Sequence, residues 1–181
     1  MDGWYAVLRG MVKLETTGDS KVSTFLGIPE GEWFGEGSAL KAEARRYNVI
    51  ALRDCTLMRL SLAEFERLKT SSFEFNQFLV SHLNRRLGQA MAIIEAQRIG
   101  SPQQRVAMYL GSAFWGQTRH LVLTQEELGH LSGLSRQTVN KVLQGLQEQG
   151  LVCLEFAQIK VLQPQALADL GHNRHLAGFQ L

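Results

Sequence analysis

Between Leu131 and Leu146 the chain reads LSGLSRQTVNKVLQGL, and the residues there with chemistry to offer are Arg136, Gln137, Asn140 and Lys141. Positions three and four apart share one helix face, so Val139, Val142, Leu143 and Leu146 make an apolar stripe suited to burial. The four polar side chains then project the opposite way. An arginine can donate two hydrogen bonds to guanine, and a glutamine can pair two-fold with adenine. Ser135, Thr138 and Thr124 carry hydroxyls that, together with free helix-end amides, can hold phosphates. Taken singly, each is an ordinary exposed polar residue. Their coincidence on one predicted helix pair points to a nucleic acid duplex.

Charge is arranged to suit such a partner. The formal net charge is only +2, but between Ala96 and Gln147 the only acids are Glu126 and Glu127, against Arg98, Arg105, Arg119, Arg136 and Lys141. A phosphate backbone is repelled least there.

The elements that must position these residues follow from pattern. VKLET at 12–16 alternates faces, TTGDSK at 16–21 reads as a turn, and KVSTFL as a second strand. Another extended segment is expected from about Asn48 to Leu60. Together these describe a β region of short hairpins, a sandwich or barrel. From Ser61 the pattern turns helical, with start signals SLAE at 61–64, SSFE at 71–74, SPQQ at 101–104 and TQEE at 124–127. Pro102 fits the first helical position, where its missing amide hydrogen costs little.

A helix is predicted from near Ser72 to about Ile99, and Val80, Leu83, Leu87, Ala90 and Ile94 repeat along it at spacings of 3, 4, 3 and 4. That is the seam of a helix pairing with a like partner; a helix lying on its own domain has the same period. Gly100, Ser101 and Pro102 then break the helix. A helix over 102–114, a turn FWGQTR, an apolar HLVLT, a helix over 125–132, a turn at Gly133 and Leu134, and a helix over 135–147 follow. EQGLVCLEFAQIKVLQP closes the series with two extended runs broken at Ala157 and Gln158. Two helices on a glycine turn with a β hairpin after them describe a winged helix-turn-helix, whose second helix enters the major groove.

Several classes are set aside by composition. Cys55 and Cys153 are the only cysteines, too few for a disulfide framework, a four-cysteine metal site or an iron–sulfur cluster held by this chain. His172 and His175 form a close pair, HNRH, with no carboxylate or thiol beside it, and read as part of a tail. Residues 1–81 contain no histidine, which argues against a cupin-type metal enzyme on the β region. No catalytic constellation emerges, and no metal site is expected. No run approaches roughly 18 uncharged apolar residues and MDGWYAVLRG lacks a secretion signal's order, so the expectation is a cytoplasmic protein with no membrane partner.

The motif Leu128, Gly133, Ser135, Arg136, Thr138, Val139, Lys141, Leu143 and Leu146, within LTQEELGHLSGLSRQTVNKVLQGLQEQGLV at 123–152, resembles the DNA-binding motif of the cyclic AMP receptor protein and FNR family of bacterial transcription regulators. Upstream, VLRGMVKL at 7–14 is similar to the family's strand-turn-strand, GEWFGE at 31–36 to its glycine-rich turn, and RDCTLMRLSLAEFERL at 53–68 to the strand leading into a short helix. The resemblance implies an α+β chain. Residues 1–70 would form an effector-type β jelly-roll barrel lacking its first strands, 71–99 a dimerisation helix, and 100–181 a winged helix-turn-helix domain. Members usually carry several tens of residues before the equivalent of residue 1, so the expectation is a shortened chain, a late start or a part of a longer protein.

The same resemblance implies effector residues. Gly35, Glu36 and Arg45 stand where nucleotide-binding members hold the cyclic phosphate and ribose. Arg46 and Tyr47 replace the expected Ser or Thr and Ala, with Arg46 a further candidate effector contact, and Gly37 replaces an aliphatic residue. The hydroxyl residues that contact adenine in the cyclic AMP receptor protein align with Ala90 and Met91, which cannot replace two hydroxyl donors. Cyclic AMP held in that form is not expected; another small or anionic ligand, a different cyclic nucleotide included, or none, stays open. Arg136 is retained from that protein, whereas Gln137 replaces a glutamate and Lys141 an arginine, so the half-site should differ at one base pair. The resemblance further implies a homodimer on a palindromic double-stranded site, with the loop at 114–120 as a candidate contact for RNA polymerase. A ligand-binding signalling module acting through protein contacts is the rival reading.

Overall fold

The structure is a computed structural model of the single chain and describes residues 3–17, 22–98, 100–111, 114, 123–155 and 158–171. Residues 18–21 of the turn expected at 16–21, the loop from Trp115 through Gln117 to His120, Leu121 and Val122 of the expected HLVLT run, Ala157 and the HNRH segment lie outside the described residues. The described chain divides into two compact units, residues 1–90 and 91–181.

The first unit is built on two three-stranded antiparallel sheets. One takes β1 (Trp4–Arg9) at its centre, flanked by β4 (Trp33–Phe34) and β6 (Thr56–Leu60); the other takes β2 (Met11–Thr17), flanked by β3 (Val22–Pro29) and β5 (Asn48–Ala51). The sheets do not close on themselves, so the jelly-roll class holds with an open barrel. The single strand expected from Asn48 to Leu60 is a correction: Leu52 and Arg53 bend the chain, and the two halves join different sheets. Arg53 and Asp54 interrupt the apolar alternation there, and the Leu52 amide donates to the Met11 carbonyl at 2.9 Å.

Alternation puts Val7, Val12, Leu14, Ile28 and Phe34 into one core cluster. A second gathers around Trp4, which is wholly buried with Ala39, Phe65 and Leu79. Trp33 lies 4.4 Å from the Trp4 ring centre, and Phe65 and Phe75 meet it edge-on at 5.5 and 5.9 Å. This aromatic cluster seats α2 (Leu62–Ser71) and the start of α3 (Phe73–Arg98) against the sheet bearing β1. A short α1 (Glu36–Lys41), not expected from sequence, follows the glycine turn.

The start signals are used unequally. Ser61 caps α2 by accepting the Glu64 amide, but Glu64 turns away to Arg67 instead of reaching back. At 71–74 it is Ser72 that accepts an amide, from Phe75, while its hydroxyl donates to Glu74. The second unit keeps both full capping boxes, Ser101 with Gln104 opening α4 (Pro102–Leu110) and Thr124 with Glu127 opening α5 (Gln125–Ser132). α4 ends at Leu110, shorter than the expected 102–114. α6 (Arg136–Glu148) follows the Gly133 turn, then β7 (Val152–Glu155) pairs with β8 (Gln158–Val161) in the expected hairpin. α7 (Pro164–Gly171), not expected from sequence, follows the hairpin. Leu167 is fully buried, and a side chain at Gly171 would meet the Met108 backbone nitrogen at 2.9 Å, so α7 packs closely on α4.

Candidate nucleic-acid interface and effector turn

The face of α6 is set by its core. Val139, Leu143 and Leu146 are fully buried, each worth about 1.5–3 kcal/mol on removal from water, and they fix the rotation of the helix. Arg136, Gln137, Asn140 and Lys141 are consequently exposed on the opposite flank. Gln144, one turn beyond Asn140, is exposed there too and was not among the expected residues; its i+4 spacing from Asn140 was the available signal.

The approach of α5 to α6 depends on two glycines. Gly133 adopts a left-handed conformation (φ 66°) that ends α5, and its amide donates back to Gly129. Gly129 leaves space for the turn: a side chain there would stand 3.3 Å from the Leu134 carbonyl oxygen.

The hydroxyls assigned to phosphates already serve the helices. Thr124 accepts the Glu127 amide at 3.1 Å, and Ser135 accepts the Thr138 amide at 3.2 Å while its oxygen lies 2.9 Å from the Thr138 hydroxyl. Each oxygen accepts without giving up its own hydrogen to the amide, so donors stay available at both helix entrances. The first turn of α6 holds no acid, which keeps the amide end of that helix open to an anion.

In the first unit, Gly35 caps α1 with a left-handed backbone (φ 94°) and no side-chain bond. A side chain on Gly35 would stand 3.2 Å from the Arg45 guanidinium, so the glycine lets Arg45 lie against the turn. Arg45 spreads over the Tyr5 ring at 4.6 Å and the Phe34 ring at 5.5 Å and donates to the Gly3 carbonyl at 3.2 Å. Its Nε is buried without a hydrogen-bond partner among the described residues. Arg46 points to solvent beside Glu43 at 3.7 Å and does not join this group.

Glu36 does not pair with Arg45. Its Oε2 lies 3.4 Å from Nε2 of His82, a fully buried side chain on α3. Burial pushes the Glu36 carboxyl up, but the His82 contact, its own backbone amide and the nearby charges of His82 and Arg86 outweigh that and hold it below the ordinary value. Burial raises the Tyr47 phenol, and the charge of Glu36 raises it further. Sequence reasoning missed a larger group beside it. Buried Glu32 takes Arg85 at 2.8 Å and Arg86 at 3.2 Å, and Arg86 also donates to the Trp33 carbonyl at 2.6 Å and to Gln89 at 2.7 Å.

Along α3, Val80, Leu83, Leu87, Ala90 and Ile94 are all exposed in the single chain, and Phe73, seven residues before Val80, extends the same row. Among the described residues no group of three or more His, Cys, Asp or Glu side chains is placed to hold a metal ion, and no helix is long and apolar enough to cross a membrane.

Two family models match, a cyclic nucleotide-binding domain over residues 1–72 and a Crp-like helix-turn-helix domain over 104–170. These define a DNA-binding transcription regulator with a cyclic-nucleotide-type first unit. The chain is 30% identical to the cyclic AMP receptor protein of Thermus thermophilus over 178 residues, spanning 92% of this chain and 78% of the relative. It therefore belongs to the cyclic AMP receptor protein and FNR family. It is also 28% identical to the transcriptional regulator SdrP of T. thermophilus over 181 residues, 96% of this chain and 86% of that one. A crystal structure of a CRP/FNR-family transcriptional regulator from T. thermophilus superposes with a TM-score of 0.69 at 27% identity, covering 96% of this chain and 89% of the other. FixK2 of Bradyrhizobium japonicum, at 19% identity, shares the fold with a TM-score of 0.76, covering 94% and 88%.

Proposed function

We propose that this regulator acts as a homodimer on a palindromic duplex, with α6 in the major groove of each half-site. Arg136 reads a guanine and Gln137 an adenine, Asn140 and Lys141 extend the contact, and Ser135, Thr138 and Thr124 hold the flanking phosphates. The observation that carries this reading is the exposure of the four polar residues above three fully buried ones on α6. The exposed row from Val80 to Ile94 supports pairing of α3 with its copy. A shift of the paired helices would set the spacing of the two reading helices to successive grooves, about 34 Å apart. No catalysis is assigned to the chain, and its place of action is the cytoplasm.

An effector at the first unit would meet Gly35, Glu36 and Arg45. The unpartnered Nε of Arg45 suits an anionic oxygen, and Glu36 suits a hydroxyl. Adenine finds no equivalent, because Ala90 offers a methyl group and Met91 a thioether. The reading is therefore a small anionic ligand other than cyclic AMP held in its usual form. Selection of bound sequences from a random duplex pool, with and without cyclic nucleotides, tests both halves. A palindrome unaffected by cyclic AMP supports them, and binding that is indifferent to sequence and to salt overturns the DNA reading.

A further inference from the structure

α3 faces the 31–36 turn with residues 82, 85, 86 and 89, whose i, i+3, i+4 and i+7 spacing makes one helix surface. Two acids of the turn meet it: Glu32 takes Arg85 and Arg86, and Glu36 approaches His82. Two aromatic rings flank the imidazole. Trp4 meets the ring edge-on at 5.5 Å, and Phe78 stacks on it at 6.2 Å.

His82 touches both acid–base groups at once. Its Nδ1 lies 3.3 Å from a terminal nitrogen of Arg85. A guanidinium has only hydrogens to offer, so this contact is a hydrogen bond in the tautomer that carries its proton on Nε2. Nε2 faces the Glu36 Oε2 at 3.4 Å, and both atoms are buried with no hydrogen-bond partner among the described residues. The ring thus spans from a carboxylate on α1 to a guanidinium that itself binds the buried carboxylate of Glu32.

We propose that His82 is a positioning residue that couples the 31–36 turn to α3, passing any change in what Glu36 binds to Arg85 and from there to Glu32. A hydroxyl that donates to Glu36 draws the carboxylate away from Nε2. The ring then turns between Trp4 and Phe78, and its Nδ1 contact with Arg85 is lost. The link to regulation rests on reading the first unit as an effector domain; the coupling itself needs neither ligand nor DNA.

Amide hydrogen exchange of the full chain, without DNA or nucleotide, tests it in wild type, His82→Leu, His82→Gln and Glu36→Ala. A glutamine amide nitrogen reaches the place of Nε2, whereas leucine fills the volume and donates nothing. The expected result is exchange about tenfold faster, in both the 31–36 turn and residues 85–89, in His82→Leu and in Glu36→Ala. His82→Gln should return both segments close to wild type. Faster exchange confined to the element that carries the substitution, or a glutamine variant that behaves like leucine, overturns the coupling. Should His82→Leu not fold, Glu36→Ala against His82→Gln carries the same two outcomes. Failure here leaves the DNA reading of α6 untouched, since no duplex enters the measurement.

Discussion

The Ser135 hydroxyl oxygen stands 2.9 Å from that of Thr138 and accepts the Thr138 amide at 3.2 Å, so the residue proposed to hold a phosphate also starts the helix that reads bases. Ser135→Ala removes the cap and one hydroxyl together. The expected loss of stability is about 1 kcal/mol by chemical denaturation. DNA affinity should fall alike on all sequences, because phosphate contacts carry no base information. A loss confined to one operator sequence would assign Ser135 to base reading instead.

The exposed row on α3 makes its own prediction. Leu87 is 61% exposed in the single chain, in the middle of the row from Val80 to Ile94. Leu87→Glu puts like charges face to face across a symmetric pair. Sedimentation should report a dimer for wild type and a monomer for the variant, with much weaker binding to a two-half-site duplex. A wild-type chain that sediments as a monomer contradicts the assignment.

α6 was legible in advance because one helix carries two opposite faces over four turns, and that period survives in sequence whatever the surroundings. The two full capping boxes were legible for a similar reason: both partners lie within four residues. The Glu32 group was not, since Arg85 and Arg86 lie more than fifty residues away and ion pairs between elements leave no periodic trace. Read singly, those residues look like solvated surface charges, and His82 like a lone core histidine. The bend at Leu52 and Arg53 was missed because branched residues on both sides favour extension, and only pairing with two different sheets separates them. α7 had one usable signal, Pro164 at a first helical position.

Gly35 is the backbone position on which the 31–36 turn depends. Gly35→Ala forces a side chain into a left-handed backbone and 3.2 Å from the Arg45 guanidinium. The expected cost is about 1–3 kcal/mol in thermal or urea unfolding. Adding Arg45→Ala should recover only the part due to crowding, leaving the backbone strain. Full recovery in the double variant would show that strain contributes little.

Acid should weaken the first unit through Glu36. Its folded carboxyl titrates below the ordinary value of 4.5, so the charged form contributes stability above that pH, and the contribution is lost as pH falls through the lower folded value. Denaturation midpoints measured from pH 7 downward should fall more steeply below about pH 4.5 in wild type than in Glu36→Gln, which has no proton to take up. Parallel curves would mean that Glu36 is not held in its charged form.

The central claim is that the exposed flank of α6 reads base pairs, led by Arg136. Selection from a random duplex pool by wild type and by Arg136→Ala measures this most directly. The expected result is a palindrome with a guanine in each half-site whose preference disappears in the variant while the other positions persist. The same motif recovered from both proteins, with only a uniform loss of affinity, would contradict it.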